Sequence, residues 1–223
     1  MKKEITIKEL YSLEHTLAKP MLEKYTYPWE GLAEIGDFIL ALGATLSSDE
    51  YDKIGENVWV AKSAKVASTA YINGPAIIGK EAEVRHCAFI RGNALVGDGA
   101  VVGNSTELKN VILFDMVQVP HYNYVGDSIL GYRAHMGAGS ITSNVKSDKK
   151  NVVIKDGAEK IETNRKKVGA MLGDDVEVGC GTVLNPGSVV GKGSNIYPLS
   201  MVRGVVKANS IYKKQGEIAE KYE

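Results

Sequence analysis

Between Asn104 and Lys150 the chain concentrates groups able to move protons: His121, Tyr124, His135 and Asn144, flanked by Lys109 and Lys150. Arg91 stands upstream, directly after Ile90. A neutral histidine beside tyrosine, asparagine and several cations suits general-base work on a substrate that carries phosphate. The competing reading of any one of these histidines is a satisfied structural residue, and of each Arg or Lys a solvated surface charge. Metal chemistry needs a tighter arrangement. His86, His121 and His135 include no close histidine pair, so no metal site is expected. Cys87 and Cys180 fit neither a disulfide framework nor a metal cluster, and read as two reduced thiols of a cytoplasmic protein.

What holds these groups in place is a repeat. Stepping by six from Ile54 gives Val60, Val66, Ile72, Ile78, Val84, Ile90, Val96, Val102 and Leu108, all branched aliphatics. Four residues after most of them comes a small side chain, as in Ala64, Ala70, Ala76, Ala82, Ala88, Ala94, Ala100 and Thr106. Neither a helical period nor strand alternation imposes a rule at six. A short strand followed by a tight turn does: the aliphatic points inward from a flat face, and the small residue fits where two faces meet. Three faces close one triangular coil, and stacked coils bury a continuous aliphatic column. The pattern returns in Leu172, Val178, Leu184, Val190, Ile196 and Val202. Between the blocks the register slips by one residue before Leu113 and again before Leu130, which predicts the same solenoid with two shortened corners. Residues 145–171 break the pattern with runs of charge and read as an excursion loop, solvated or functional.

The rest of the chain is bounded more loosely. Residues 1–50 are expected to form an N-terminal helical cap, with one helix over 28–43 whose stripe is Leu32, Ile35, Ile39 and Leu42. Residues 51–208 form the solenoid, and 209–223 a short helical tail. Lys plus Arg and Asp plus Glu each number 27, so no net field draws in nucleic acid. The longest apolar run, FILALGATL, is too short to cross a bilayer, and MKKEITIKEL has no apolar core of a secretory signal. With three Phe and 24 Gly, the core must rest on small and branched aliphatics in an all-β fold rich in turns.

The stretch VPHYNYVGDSILGYRAHMGAGSITSN resembles the acetyltransferase domain of the bifunctional N-acetylglucosamine-1-phosphate uridyltransferase/glucosamine-1-phosphate acetyltransferase family. The resemblance extends over about residues 27–208, and the pair HYNYVGD and GAGSITSN at this separation is its most specific part. It implies a left-handed parallel β-helix of hexapeptide repeats, a homotrimer, and acetyl-CoA as co-substrate with no metal. By the same resemblance His121 matches the catalytic base that takes a proton from the sugar amine. Arg91 and Lys109 match cations that hold the sugar phosphate, Tyr124 a sugar-contacting tyrosine, and Asn144 an asparagine near the reacting centre. Lys150 matches a substrate lysine, the Ala138 N–H an oxyanion donor, and Ala138, Cys180 and Pro198 the positions that contact acetyl-CoA. His135 stands where the family has a sugar-binding asparagine, Val145 replaces a tyrosine, and Cys180 replaces a serine. No nucleotidyltransferase domain precedes the helix, so uridylyl transfer is not expected. The acceptor implied is an amino-sugar phosphate such as glucosamine-1-phosphate. Two other readings stand beside it: a non-catalytic sugar-nucleotide-binding or assembly module, and an acyltransferase for a nucleotide-linked amino sugar.

Overall fold

Every sixth residue of the repeat turns inward, and a parallel ladder of short strands stacks each on its counterpart one coil away. The computed structural model describes residues 4–214 and 217–220. On the first face Val60, Ile78, Val96, Leu113, Leu130, Leu172, Val190 and Val206 form one inward column. On the second face Val84, Val102, Val119, Met136, Val178 and Ile196 do the same, with Tyr212 beneath them. The third face stacks Ile72, Ile90, Leu108, Val125, Thr142, Leu184 and Val202. Ile54 does not belong to these columns. It lies on strand Tyr51–Gly55, antiparallel to Val58–Ala61, and is 58% exposed.

The two shortened corners are present. Where a coil loses one residue between third and first faces, strand runs on without a break, as Glu107–Leu113 and Tyr124–Leu130. The excursion leaves the same corner and carries an antiparallel hairpin, Val153–Asp156 with Glu159–Glu162. Val152, Ile154 and Ile161 anchor it in the core.

The N-terminal segment lies along the side of the prism rather than over its open end. Outward residues of the first face, Ile77, Leu95, Ile112, Ile129, Met171 and Val189, are all fully buried or nearly so. Helix Ile35–Gly43 packs across this face, and a 3-10 turn, Pro28–Ala33, sits against strand Tyr124–Leu130. The single helix expected over 28–43 is therefore two elements. Glu30 pins the entry by accepting the Thr26 and Tyr27 N–H groups, and Gly36 passes so close to Asn93 that a Cβ there would lie 2.7 Å from its Oδ1. Leu32, Ile35 and Ile39 are buried as the stripe requires, but Gly43, against the Trp59 ring, takes the place expected of Leu42.

Open sheet edges demand partners for their backbone groups. At the first coil strand Tyr51–Gly55 supplies them by folding back. At the last, the expected helical tail is instead a hairpin of strands, Ser210–Lys214 and Glu217–Glu220, the first paired in parallel with Asn195–Ile196. Tertiary pairing overrides helix propensity here because Tyr212 continues the inward column below Ile196. Among the described residues no helix is long and apolar enough to cross a membrane.

Asp174 fastens the N-terminal segment to the prism. Its buried carboxylate accepts the N–H groups of Ser12 at 2.8 Å and Tyr132 at 2.9 Å, and pairs with Lys192 at 3.0 Å. Its own N–H bonds the Leu10 carbonyl at 3.0 Å, beside a stack of His15 on Tyr132 with ring centroids 3.8 Å apart. Replacing the carboxylate orphans two amides, so Asp174→Ala is expected to cost about 3 kcal/mol. Denaturant unfolding checks the magnitude, and limited proteolysis should cut first within the released N-terminal segment.

Candidate functional site

At the corner between second and third faces, one residue per coil stands at the same place: His86, Asn104, His121, Ala138, Cys180 and Pro198. The backbone ladder establishes this column. The N–H of Tyr122 bonds the Asn104 carbonyl, that of Gly139 the His121 carbonyl, that of Gly181 the Ala138 carbonyl, and that of Leu199 the Cys180 carbonyl, each at 2.8–2.9 Å. The donor is in each case the next residue along, and all have positive φ, which turns the chain at the corner. His121, Ala138, Cys180 and Pro198 are all exposed. The structure thus brings the expected base, oxyanion donor and acetyl-CoA positions into one line. Among the described residues the Ala138 N–H has no acceptor, and none hydrogen-bonds the His121 imidazole.

Asn123 holds this corner from inside. Buried beneath the turn, it accepts the His121 N–H at 3.1 Å through Oδ1. Its amide nitrogen donates to the carbonyls of Gly137 at 2.9 Å and Ser140 at 3.1 Å. The backbone of His121 is thereby tied to the loop that carries Ala138.

The opposite edge of the third face holds a second network. Asn93, Asn110 and Asp127 each stand at the corner just before the first-face positions Ala94, Val111 and Ser128 and stack on one another, all with positive φ, a conformation that Asn and Asp tolerate well. Asp127, only 5% exposed at its side chain, is the hub. Its carboxylate accepts from Lys109 Nζ at 3.0 Å, Asn110 Nδ2 at 3.0 Å and Asn144 Nδ2 at 2.6 Å. The same Asn144 nitrogen lies 3.2 Å from the Tyr124 hydroxyl, which is packed over Gly126 so tightly that a Cβ there would lie 2.5 Å from it. Thr142, the one polar member of the inward third-face column, accepts the Gly126 N–H at 2.9 Å. Burial, and then the charge of Asp127, push the Tyr124 phenol above its ordinary value. It therefore remains a neutral hydroxyl throughout the physiological range.

Arg91 lies at the same edge, half spoken for by Glu107 at 2.7 Å. Tyr124 pairs in register with Glu107, placing its ring on the third face between the two corners. His135 is not part of this group. It projects from the second face, paired in register with Gln118 and Glu177, and its Nδ1 lies 2.7 Å from Glu177 Oε2. Lys150 is exposed on the outgoing arm of the excursion, its N–H bonded to Asp148 Oδ1 at 3.0 Å. Among the described residues no cluster of three or more His, Cys, Asp or Glu is placed to hold a metal ion.

Three comparisons with known proteins bear on the chain. The family model of the GMPPB C-terminal domain matches residues 72–206. A bifunctional protein GlmU of Methanococcus maripaludis is 34% identical over 117 residues, covering 52% of this chain and 28% of that protein. A bifunctional sugar-1-phosphate nucleotidylyltransferase/acetyltransferase of Sulfurisphaera tokodaii is 31% identical over 112 residues, covering 50% of this chain and 28% of that protein. This chain thus spans under a third of the length of these relatives. Among solved structures, a hexapeptide transferase family protein of Anaplasma phagocytophilum matches with a TM-score of 0.42 and 20% identity, over 74% of this chain and 81% of that one. On the match that runs through most of the solenoid, the chain belongs to the family of the GMPPB C-terminal domain.

Proposed function

We propose that the protein transfers an acetyl group from acetyl-CoA to the amine of an amino-sugar phosphate, glucosamine-1-phosphate or a close relative, in one direct step. The observation that carries this reading is the column that sets His121 directly beside Ala138, with Cys180 next beyond Ala138, on an open corner. The amine nitrogen attacks the thioester carbonyl carbon while the His121 imidazole removes its proton. The carbonyl oxygen becomes an oxyanion, met by the unspent Ala138 N–H, a donor most valuable once that charge has developed. Collapse re-forms the carbonyl and breaks the C–S bond. The proton held by His121 passes to the departing thiolate, so an amide and free CoA leave. Cys180 and Pro198 continue the column along which the CoA chain would lie. Tyr124 and Asn144, held by Asp127, present a hydroxyl and an amide to the sugar. One matching relative, that of Sulfurisphaera tokodaii, is named for both sugar-1-phosphate nucleotidylyl transfer and acetyl transfer, which supports the sugar class.

The same surface supports a homotrimer. The outer side of the third face exposes Tyr71, Phe89 and Met201, and the adjoining corner exposes Tyr122 at 65% and Leu199 at 85%. An apolar strip of this kind, running between the two halves of the site, suits three-fold packing in which one protomer's corner meets its neighbour's face. Light scattering is expected to give three times the chain mass, and a stable monomer would remove this part of the proposal.

One observation favours binding without transfer: the His135 imidazole is engaged by Glu177 instead of standing with Tyr124 and Asn144. Free-thiol release from acetyl-CoA in the presence of glucosamine-1-phosphate decides between the two. Transfer predicts release that requires the amino sugar and falls about 100- to 10,000-fold in His121→Ala. Binding alone predicts none. Asp127→Asn keeps the shape but cannot accept all three donors, so a loss of about 2–4 kcal/mol in stability is expected. In the same variant kcat/KM for the amino sugar should fall while KM for acetyl-CoA holds, because the network touches only the acceptor side.

A further inference from the structure

The position just before each third-face strand is alanine in the early coils, Ala70 and Ala88, and a hydrogen-bonding residue thereafter: Thr106, Asn123, Ser140, Thr182 and Ser200. The change falls beneath the corner that presents Asn104, His121, Ala138, Cys180 and Pro198. A buried hydroxyl or amide is costly unless it finds a partner, and here the partners are the corner's own carbonyls. Ser140 Oγ donates to the Gly137 carbonyl at 2.7 Å, and the Ser140 N–H donates to it at 3.1 Å. Asn123 Nδ2 donates to the same oxygen at 2.9 Å. One carbonyl thus holds three donors, two of them from buried side chains.

That carbonyl shares its peptide unit with the Ala138 N–H. In a trans peptide the two groups point in opposite directions, so drawing the Gly137 oxygen inward turns the Ala138 N–H outward. The flanking backbone is fixed as well. The Gly137 N–H bonds the Val178 carbonyl at 2.7 Å, and the Gly139 N–H bonds the His121 carbonyl at 2.9 Å. The three donors also act on the electrons of the amide. A hydrogen bond at one end polarises the group and strengthens what the other end donates, by about 10–30% per bond. Among the described residues the Ala138 N–H itself has no acceptor, so this polarised donor faces whatever binds at the corner.

We propose that Ser140 and Asn123 are positioning residues for acetyl transfer, which orient and polarise the Gly137–Ala138 peptide so that its N–H meets the oxyanion. The positioning role rests on the acetyltransferase reading above, whereas the polarised peptide does not.

The test joins steady-state kinetics of the full chain, with acetyl-CoA and glucosamine-1-phosphate, to magnetic resonance of protein labelled in glycine carbonyl carbon and alanine nitrogen. Five peptides join glycine to alanine in this sequence, so the Gly137–Ala138 unit is read among few signals. Alanine fills the same buried position at Ala88, and threonine at Thr106 and Thr182, so Ser140→Ala and Ser140→Thr both fit. Ser140→Ala is expected to lower kcat about two- to eightfold, a fraction of what a whole oxyanion donor contributes, with KM for both substrates held. The Gly137 carbonyl carbon and the Ala138 nitrogen should both shift upfield. Ser140→Thr keeps the hydroxyl and restores both readouts. Asn123→Thr removes the amide donor, so the same two signals move upfield and kcat falls. The control is Ser200→Ala, which loses the equivalent bond, Ser200 Oγ to the Tyr197 carbonyl at 2.6 Å. That peptide ends on Pro198, which has no N–H, and kcat is expected to hold. An unchanged kcat in Ser140→Ala, or an equal fall in Ser200→Ala, would overturn the positioning role. Unmoved Gly137 and Ala138 signals would overturn the polarised peptide. A parent that transfers no acetyl group defeats the enzyme reading and the positioning role with it, while an upfield move in Ser140→Ala still sustains the polarised peptide.

Discussion

The structure depends on register between neighbouring coils. In a parallel ladder a shift of one residue exchanges inside for outside, so every inward position must recur directly over its predecessor. Coils of 18 residues satisfy this on all three faces, as from Ile78 to Val96. Two coils have 17 residues, from Val96 to Leu113 and from Leu113 to Leu130, and keep register only because both lose their residue at the same corner. That shared deletion makes Glu107–Leu113 and Tyr124–Leu130 continuous strands and brings Lys109 and Asn110 against Gly126 and Asp127. The polar network is thus a consequence of how the solenoid absorbs a missing residue.

Both halves of the candidate site follow one building rule. A group facing outward is fixed by a buried polar group behind it. Asn123 fixes the His121 backbone to the loop of Ala138, and Asp127 fixes Lys109 and Asn144. A buried carboxylate is tolerable only when its lone pairs are filled, and Asp127 meets that condition with three side-chain donors. Burial raises the Tyr124 phenol, and the charge of Asp127 adds to that rise.

The aliphatic and small residues of the repeat made most of the solenoid readable, because a period of six has one physical solution and each coil repeats it. The shortened corners were readable for the same reason. The ends were not. Helix 28–43 breaks because Glu30 turns back to accept the Thr26 and Tyr27 N–H groups and Gly36 passes close to the distant Asn93, and the tail pairs as strands because Tyr212 fits under Ile196. Ile54 fits the period but lies on the strand that folds back over the first edge. Of the site, His121, Tyr124, Asn144, Arg91 and Lys109 were visible as polar interruptions, and Ala138, Cys180 and Pro198 through the resemblance. Asn123 and Asp127 were visible only as members of the HYNYVGD run, with no role read for either, since their importance lies in being buried. Asp127 also stands at a corner where the period drops from six to five. Arg165, Lys166 and Lys167 looked like a solvated charge run, whereas they line a cavity beside Lys109 and Asp127, and nothing local in the sequence distinguishes the two.

The excursion departs and returns at almost the same point. Val145 bridges to Lys167, and the Val168 N–H closes on the Asn144 carbonyl before Gly169 resumes the ladder on Asp127. Everything between those residues can be lengthened, shortened or exchanged without altering the spacing of a single coil. The excursion is therefore a detachable handle on a fixed frame. Descendants of one scaffold could rewrite about twenty residues there and leave the histidine corner untouched.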